Sequence, residues 1–512
     1  MKQGFVKVAS ATPRIRVADP VYNAQVICEQ AKEAAEHGAK IVVFPELCIT
    51  GYTCNDLFLQ ELLLEKAKEA LLTIAEETGQ LETLFLVGLP VDKDGRLYNV
   101  AAVLYRGRIL GMIPKKNIPM YAEFYEGRHF TPGEETVTEY RLGKQVIPFG
   151  SNLLFRCEEL PELILGCELC EDLWVAEPST SHALMGATVI ANLSASNETV
   201  SKDDYRTLLI KASSARLLCG YIYTSAGEGE STQDLVFGGH DLIAENGTLL
   251  VQSPRFTTGI LYTDLDVLKI SSERRRMGTF GKRPMKPYLT VPFSMQLTGT
   301  KLDRKFAAHP FVPEDMVERN RRCEDILSIQ AFGLKKRYEH IGCKTAVLGI
   351  SGGLDSTLAL LVTVRTFDLL GLPRSGIIAV TMPCFGTTDR TYENACLLAK
   401  TLGTTLREVD IRESVTRHFA DIGQDMECHD VTYENGQARE RTQVLMDIAN
   451  KENALVIGTG DMSELALGWA TYNGDHMSMY GVNAGVPKTL VRHLVAYYAD
   501  TCNNAELTAV LK

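Results

Sequence analysis

A pair of glycines flanked by hydroxyl and carboxylate side chains interrupts the second half of this 512-residue chain. The segment Ser-Gly-Gly-Leu-Asp-Ser occupies residues 351–356, between an apolar run at 345–350 and a long helical pattern. Paired glycines let the backbone approach an oxyanion, and a helix N-terminus adds unpaired N–H groups and partial positive charge. The pattern therefore predicts a phosphate or pyrophosphate loop. It differs from the G-x-x-x-x-G-K-[ST] nucleotide loop because no lysine follows the second glycine.

A carboxylate, an ammonium and a thiol occur in the first half of the chain. Glu46 follows a buried strand pattern at 39–44, Lys115 lies in the segment 113–121, and Cys170 ends an apolar strand pattern that starts at 163. A thiol attacks as its thiolate, a nearby base can take its proton, and a cation can stabilise the anionic intermediate. Each residue alone is more often structural: a strand-end glutamate, a solvated lysine, an inert buried cysteine. Together they predict nucleophilic catalysis.

Strand and helix patterns alternate around these residues, which predicts an α/β fold in both halves. In the second half, Gly and polar segments follow the predicted strands at 376–382 and 454–459, and helical stretches separate the strands. This order is typical of a doubly wound parallel sheet, whose ligands bind beyond the carboxyl ends of the strands. The glycine loop, residues 382–386 and residues 459–464 all fall at that edge.

Composition excludes several classes of protein. A net charge of −11, with only the short basic run 274–276, argues against a nucleic-acid groove. Thirteen cysteines without a repeating frame indicate reduced thiols of a cytoplasmic protein, and the single C-x-x-C at 167–170 does not complete a zinc site. No signal peptide or 18-residue apolar run occurs, so we expect neither secretion nor a membrane-spanning segment.

The length exceeds what one hydrophobic core usually spans, so two large domains are expected. Helical and strand periodicity fades between residues 271 and 315, where glycines and prolines recur. We therefore predict one domain at 1–275, a linker or arm at 276–315 that is long enough to reach a neighbouring subunit, and a second domain at 316–512. A long helix at 314–342 is expected to lead into the second domain.

The glycine loop resembles the pyrophosphate loop of the ATP pyrophosphatases. Those enzymes adenylate a carbonyl oxygen, release pyrophosphate and let a nitrogen or sulfur nucleophile displace AMP. The resemblance implies that Asp355 helps to hold Mg²⁺, which prefers hard oxygen ligands. It also implies that ATP binds the whole loop, which consists of Ser351, Gly352, Gly353, Leu354, Asp355 and Ser356.

Nearly all of residues 1–270 resemble the nitrilase superfamily and, more narrowly, the glutaminase domain fused to NAD synthetases. The motifs are Pro-Glu-Leu at 45–47, Lys-x-x-Ile-Pro-x-Tyr at 115–121 and Cys-Glu-Asp-Leu-Trp at 170–174. The resemblance implies an αββα sandwich in which Glu46 is the general base, Lys115 stabilises the tetrahedral intermediate and Cys170 forms a glutamyl thioester. Cys167 is assigned to packing. Three further residues match positions that hold glutamine: Tyr121, Ser196 and Lys202.

The second half resembles the synthetase domain of NAD synthetases, with a sheet of the adenine nucleotide alpha-hydrolase type. The resemblance implies that Thr459 and Lys488 contact ATP and that Glu464 joins Asp355 at Mg²⁺. Family members continue past the helix that follows Lys488 and supply a late lysine, so this domain is expected to be short at its C-terminus. Cys384 stands where a small residue is usual. The deamido-NAD pocket is expected to contain Asn435, Arg439, Glu464, Trp469, Tyr472 and Asp475.

Taken together, the resemblances imply a cytoplasmic ligase of the glutamine-dependent NAD synthetase family, acting on glutamine, ATP and deamido-NAD. Because ammonia is mostly protonated and non-nucleophilic at neutral pH, a closed passage between the two sites is expected, completed by contacts in a homo-oligomer. Three alternatives stay open: amidation of another carbonyl, such as a purine nucleotide or aspartate; a fragment with glutaminase activity only; and an inactive binding or assembly module. An RNA-modifying thiolase is disfavoured by the acidic charge.

Overall fold

The computed structural model describes residues 1–232, 235–281, 287–313, 315–385 and 389–512. The chain divides into two compact units, Met1–Lys305 and Phe306–Lys512. The border between the units falls inside the predicted arm at 276–315. Residues 282–286 of that arm, the predicted helix start at 314 and residue 386 lie outside the described residues.

Unit 1 is built mainly from strands. Its strands are β1 (Phe5–Thr12), β2 (Ile41–Val43), β3 (Leu84–Lys93), β4 (Arg96–Tyr105), β5 (Arg108–Pro114), β6 (Thr138–Leu142), β7 (Gln145–Phe149), β8 (Leu153–Cys157), β9 (Ile164–Leu169), β10 (Val189–Ser194), β11 (Gly220–Ser225), β12 (Leu242–Glu245), β13 (Thr248–Gln252), β14 (Gly259–Asp266) and β15 (Leu289–Phe293). Its α-helices are α1 (Pro20–Glu36), α2 (Glu61–Glu77), α3 (Ser179–Leu184), α4 (Lys202–Leu217) and α5 (Val267–Arg276).

Two sheets face each other in unit 1, with helices on the outside. The first has the order β14-β1-β2-β3-β4-β5-β7-β6 and the second β13-β12-β11-β10-β9-β8-β15. Alternate side chains of β3 point to opposite faces, so Leu86 lies in the apolar cluster that includes Leu165 and Val189 of the second sheet, whereas Phe85 lies in the cluster formed with α1 and α2. Helices α3 and α4 cover the outer face of the second sheet. The predicted αββα sandwich is confirmed.

Residues 289–304 of the predicted arm pack against the rest of unit 1. Strand β15 pairs in parallel with β8 and forms the edge of the second sheet. An edge strand tolerates Pro292, because a proline there removes no hydrogen bond from the interior of the sheet. Farther along, the Asp264 carboxylate accepts hydrogen bonds from the backbone N–H groups of Asp303 (2.6 Å) and Arg304 (3.0 Å). The sequence pattern therefore did not predict β15, because glycines and prolines interrupt the periodicity in this part of the chain.

Unit 2 contains one parallel sheet with helices on both faces. Its strands are β16 (Ala346–Gly349), β17 (Ile377–Thr381), β18 (Thr405–Glu408), β19 (Leu455–Gly458) and β20 (Tyr480–Gly481). Its helices are α6 (Met316–Ile341), α7 (Leu354–Leu370), α8 (Asp389–Leu402), α9 (Arg412–Ile422), α10 (Val431–Glu452), α11 (Met462–Leu467), α12 (Lys488–Thr501) and α13 (Ala505–Leu511). The strand order is β18-β17-β16-β19-β20.

The two faces of this sheet have separate apolar cores. Helices α6, α7 and α12 pack with Leu348 on one face, and α9 and α10 pack with Val347 on the other. Every strand pair is parallel, so the predicted doubly wound sheet is confirmed. No helix in the described ranges is long and apolar enough to cross a membrane. None of the thirteen cysteines, all of which lie in the described ranges, forms a disulfide.

Candidate active sites

The predicted catalytic residues of unit 1 follow three buried strands. Glu46 lies three residues beyond the end of β2, Lys115 directly follows β5 and Cys170 directly follows β9. Strands β2 and β5 belong to the first sheet and β9 to the second. The side chains of Glu46 and Lys115 are fully buried, and Cys170 is 5% exposed. The ends of strands from both sheets thus supply one buried cluster.

Lys115 is the centre of a buried ion-pair network. Its Nζ lies 2.7 Å from Glu46 Oε1 and 2.6 Å from Glu126 Oε1. Asn99 Nδ2 also donates to Glu46 Oε1 (2.7 Å), and the Tyr52 hydroxyl donates to Glu126 Oε1 (2.8 Å). Glu46 Oε2 is buried and accepts no hydrogen bond. Glu46 therefore keeps one carboxylate oxygen available for a proton.

Cys170 sits on a sharp turn. Its φ of +41° is in the left-handed region, where a residue with a Cβ is strained by about 1 kcal/mol. Asp172 holds this turn, because its carboxylate accepts hydrogen bonds from Leu169 N (3.1 Å) and Asn117 N (2.9 Å). Leu169 directly precedes Cys170, and Asn117 lies two residues after Lys115. Asp172 therefore links the two segments that carry the catalytic residues.

The electrostatics of the cluster define the resting charges. Burial and the Glu46 charge raise the pKa of the Cys170 thiol, against the opposing effect of Lys115. Burial alone would lower the pKa of Lys115, but Glu126 and Glu46 raise it well above its ordinary value. Burial raises the pKa of Glu126 to about 7. At neutral pH Cys170 is therefore a thiol that needs a base, and Lys115 is a fixed cation beside it.

Glu126 and Asn99 were not predicted from the sequence. Glu126 begins a single 3-10 turn, Glu126–Arg128, and Asn99 lies within β4. Neither residue belongs to a spacing pattern that links it to Lys115. Only the fold brings Glu126 to the Lys115 ammonium and the Asn99 side chain to Glu46.

A cavity of about 420 Å³ opens at Cys170. The predicted glutamine-binding residues Tyr121, Ser196 and Lys202 all line it, as does Glu171. The Tyr121 hydroxyl donates to Glu171 Oε1 (2.9 Å), and Lys202 donates to Asn197 Oδ1. An ammonium, that of Lys202, and a carboxylate, that of Glu171, in the lining of one cavity suit an amino acid that carries both charges. Cys167, in contrast, packs in the core between the two sheets.

The predicted pyrophosphate loop joins β16 to α7. Gly352 has φ of +76°, and a Cβ at this position would lie 2.2 Å from the carbonyl oxygen of Thr391. Ser351 Oγ accepts from Gly353 N (3.3 Å), and Ser356 Oγ donates to the Gly353 carbonyl (3.0 Å). Helix α7 begins without a side-chain cap. Its first N–H groups can therefore serve an anion.

A cavity of about 600 Å³ lies at the carboxyl ends of β16, β17 and β19. Gly352, Leu354 and Lys488 adjoin it without forming its wall. Of the predicted ligand-binding residues, eight line the cavity: Ser351, Gly353, Asp355, Ser356, Thr459, Glu464, Trp469 and Asp475.

Three carboxylates converge beside this cavity. Oxygens of Asp355, Asp461 and Glu464 lie within 4.8 Å of one another. Lys488 Nζ lies among them, 2.5 Å from Asp355, 3.2 Å from Asp461 and 3.3 Å from Glu464. Asp461 was not predicted from the sequence, although the Asp-x-x-Glu spacing of a helix N-cap was a usable signal. Three hard oxygen ligands fit Mg²⁺.

The remaining predicted pocket residues lie around one loop. Thr471 Oγ1 donates to Asn435 Oδ1 (2.7 Å), Thr471 N donates to Asp475 Oδ1 (3.1 Å), and Arg439 Nε donates to the Tyr472 carbonyl (3.0 Å). The structure thus ties α10 to the loop but leaves Asn435, Arg439 and Tyr472 outside the cavity wall. The rings of Trp469 and Tyr472 are 78% and 77% exposed, so neither is a core aromatic.

Comparisons with known proteins match both halves of the chain. A family model for carbon-nitrogen hydrolases matches residues 7–275, and one for NAD synthase matches residues 326–503. A glutamine-dependent NAD(+) synthetase from Mycobacterium leprae is 42% identical and covers 97% of this chain and 75% of the relative. One from Thermotoga maritima is 32% identical, with 97% and 81% covered. A solved structure from Cytophaga hutchinsonii, also titled glutamine-dependent NAD(+) synthetase, is 22% identical, with a TM-score of 0.47, and covers 99% of this chain and 84% of its own.

Proposed function

Because the chain belongs to the family of glutamine-dependent NAD(+) synthetases, we propose that it converts deamido-NAD to NAD with glutamine as nitrogen donor and ATP as energy source. The observation that carries this proposal is the presence of two chemically distinct sites on one chain. Unit 1 has a buried thiol beside a carboxylate and an ammonium, and unit 2 has a glycine loop beside three carboxylates.

In unit 1, Cys170 is the nucleophile and Glu46 the base. The free Oε2 of Glu46 takes the thiol proton as Sγ attacks the amide carbon of glutamine. Lys115 stabilises the negative charge that develops on the carbonyl oxygen. Glu46 returns the proton to the leaving nitrogen, so ammonia departs and a thioester forms. Water, deprotonated by Glu46, then attacks the thioester and releases glutamate and the thiol.

Glutamine is held in the 420 Å³ cavity by groups of opposite charge. Lys202 is suited to the α-carboxylate of the substrate, and Tyr121 and Ser196 contribute hydroxyl groups. These contacts keep the side-chain amide of the bound substrate at Cys170.

In unit 2, the carboxylate of deamido-NAD attacks the α-phosphorus of ATP. The bond to pyrophosphate breaks, an adenylated carboxylate forms, and ammonia then displaces AMP to give the amide. The serine hydroxyls of the loop, the N-terminus of α7, Thr459 and Lys488 bind the phosphates. Asp355 and Glu464, joined by Asp461, would hold Mg²⁺, which neutralises phosphate charge when bound.

Deamido-NAD binds at the loop 469–475, which hydrogen bonds connect to α10. Trp469 and Tyr472 present exposed rings to which a flat heterocycle can stack. Asn435, Arg439 and Asp475 fix the loop through the hydrogen bonds described above and offer polar groups to the ligand. Their role is therefore both to position the aromatic residues and to bind the nucleotide.

Ammonia is most useful if it never equilibrates with solvent, where it becomes ammonium. We therefore propose a closed passage between the two sites, completed by contacts in a cytoplasmic homo-oligomer. Equal concentrations of ammonium chloride and glutamine should be compared at neutral pH. Faster turnover with ammonium would contradict the passage.

The experiment that tests the function uses the purified chain with ATP, Mg²⁺, glutamine and deamido-NAD. We expect NAD, AMP, pyrophosphate and glutamate in equal amounts. Parallel reactions replace deamido-NAD with a purine nucleotide or with aspartate, and omission of the acceptor is the control. AMP formation that depends on another acceptor and not on deamido-NAD would overturn the assignment.

A further inference from the structure

Lys488 occupies an unusual position for a helix residue. It is the first residue of α12, where the partial positive charge of the helix N-terminus disfavours a cation. Its ammonium nevertheless lies among Asp355, Asp461 and Glu464, at 2.5, 3.2 and 3.3 Å. These carboxylates raise the pKa of Lys488, although burial alone would lower it. The acidic cluster, rather than the helix, therefore accounts for the placement of this side chain.

The carboxylates are held by a rigid frame. Asp461 is fully buried, and its Oδ1 accepts from Ser463 N (2.7 Å) and Glu464 N (3.0 Å) at the start of α11. Asn483 Nδ2 donates to the backbone oxygens of Asp355 (2.9 Å) and Thr459 (3.1 Å). The frame fixes the backbone at each acidic residue. The Lys488 side chain, in contrast, is half exposed.

The charges in the cluster are only partly balanced. Three carboxylates and one ammonium leave a formal charge of −2, so Lys488 balances only part of the cluster: the buried Asp355 Oδ1 accepts no hydrogen bond, and the buried Asp461 Oδ2 has only the Lys488 ammonium, at 3.2 Å. These oxygens point to a cation of higher charge as the full partner of the cluster. The half-exposed lysine side chain can yield its place, whereas the frame holds the backbone of the three acidic residues in position.

We infer that the Lys488 ammonium is an internal counter-ion, held by Asp355, Glu464 and the anchoring residue Asp461. A divalent cation must displace this ammonium in order to bind the carboxylates. This inference rests on the proposed use of Asp355 and Glu464 as metal ligands. The ammonium keeps the carboxylates from capturing a free cation before the nucleotide arrives. Once displaced, it is free to bind a phosphate oxygen, so cation and nucleotide binding favour each other.

The test measures Mn²⁺ binding without any nucleotide, by the electron paramagnetic resonance signal of free Mn²⁺. Lys488→Met removes the ammonium that competes with the cation, so it should tighten Mn²⁺ binding relative to the parent chain. Because the charges are partly exposed to solvent, the expected change is only about tenfold. Lys335→Met is the matched control, since Lys335 pairs with Glu339 (3.1 Å) on α6. It should leave Mn²⁺ binding unchanged. Equal or weaker binding by Lys488→Met would overturn the inference.

A second substitution separates the anchoring role of Asp461 from helix capping. Asp461→Asn keeps an oxygen for the two N–H groups of α11 but removes the negative charge. In the Lys488→Met background it should weaken Mn²⁺ binding about tenfold, because one of three carboxylates is lost. Unchanged binding would remove Asp461 from the cluster. Circular dichroism checks the fold, and Lys488→Gln replaces Lys488→Met if that variant does not fold.

These measurements do not depend on the acceptor that the enzyme amidates. If the proposed function is wrong and the counter-ion inference right, Mn²⁺ binding follows the predicted order while deamido-NAD yields no AMP. If the inference alone is wrong, the parent chain forms AMP with deamido-NAD, and Lys488→Met does not bind Mn²⁺ more tightly than the parent chain. A cooperativity measurement supplies a further check, since ATP should tighten Mn²⁺ binding less in Lys488→Met than in the parent chain.

Discussion

Replacing Glu126 with glutamine should flatten the pH dependence of the stability of unit 1. The Glu126 carboxyl is buried and accepts hydrogen bonds from Lys115 (2.6 Å) and Tyr52 (2.8 Å). Burial raises its pKa from 4.5 to about 7. The folded state therefore binds this proton more tightly than the unfolded state does. The resulting stability is present in full below pH 4.5 and is lost as the pH rises through 7.

The size of the effect follows from this difference in pKa. One pKa unit corresponds to about 1.4 kcal/mol, so the free energy of unfolding should fall by roughly 2–3 kcal/mol between pH 5 and pH 8 because of Glu126. Glutamine cannot ionise, so the Glu126→Gln chain lacks this pH-dependent loss of unfolding free energy. Glu168 and Asp241 also have pKa values raised by burial, but they contribute equally to both chains and cancel in the difference.

Urea denaturation at four pH values between 5 and 8 measures the effect. A Trp469→Phe background leaves Trp174 as the fluorescent reporter of unit 1, since the chain has two tryptophans. Glu76→Gln, on the exposed side of α2, is the matched control, and its profile should follow that of the parent chain. If Glu126→Gln and the parent chain lose the same stability over this range, the reasoning about the buried carboxyl is refuted.

Three further substitutions test the two sites separately. Glu46→Gln should abolish glutamine-driven synthesis and spare ammonia-driven synthesis, because only thiol activation is lost. Gly352→Ala should lower the stability of unit 2 by about 1–3 kcal/mol in thermal melts and prevent AMP formation, because its Cβ would meet the Thr391 carbonyl at 2.2 Å. Asp355→Ala should remove AMP formation with either nitrogen source, measured by chromatography.

Each of these outcomes can fail. Glutamine use by Glu46→Gln would assign the proton to another base. A Gly352→Ala chain with unchanged melting and AMP formation would mean that the loop adapts to a side chain. Ammonia-driven AMP formation by Asp355→Ala would remove this carboxylate from the nucleotide site.

Regular elements with continuous apolar patterns were predictable from the sequence, and irregular or very short ones were not. The helix expected at 314–342 corresponds to α6, and the strand expected at 376–382 is β17. Strand β15 contains Pro292, which breaks strand patterns, and β20 has only two residues. Both depend on pairing with a neighbouring strand rather than on their own residues.

The same division holds for the sites. Residue type and the resemblance to known motifs were enough to propose Glu46, Lys115 and Cys170, and two of them, Glu46 and Cys170, also lie at the ends of buried strand patterns. Glu126 could not be placed in this way, and the spacing of Asp461 indicated a helix cap rather than a ligand, since the importance of both residues depends on their distances to an ammonium. Their roles follow from geometry, namely 2.6 Å to Lys115 and 3.2 Å to Lys488.

The central claim is that one thiol in unit 1 supplies nitrogen to a separate synthetase site. NAD formation by Cys170→Ala, measured in parallel with glutamine and with ammonium chloride, tests it most directly, with Cys167→Ala as the neighbouring control. We predict that Cys170→Ala loses glutamine-driven synthesis by about a thousandfold or more, keeps ammonia-driven synthesis, and that Cys167→Ala keeps both. Retained glutamine use by Cys170→Ala, or loss of both activities in a folded chain, would contradict the account.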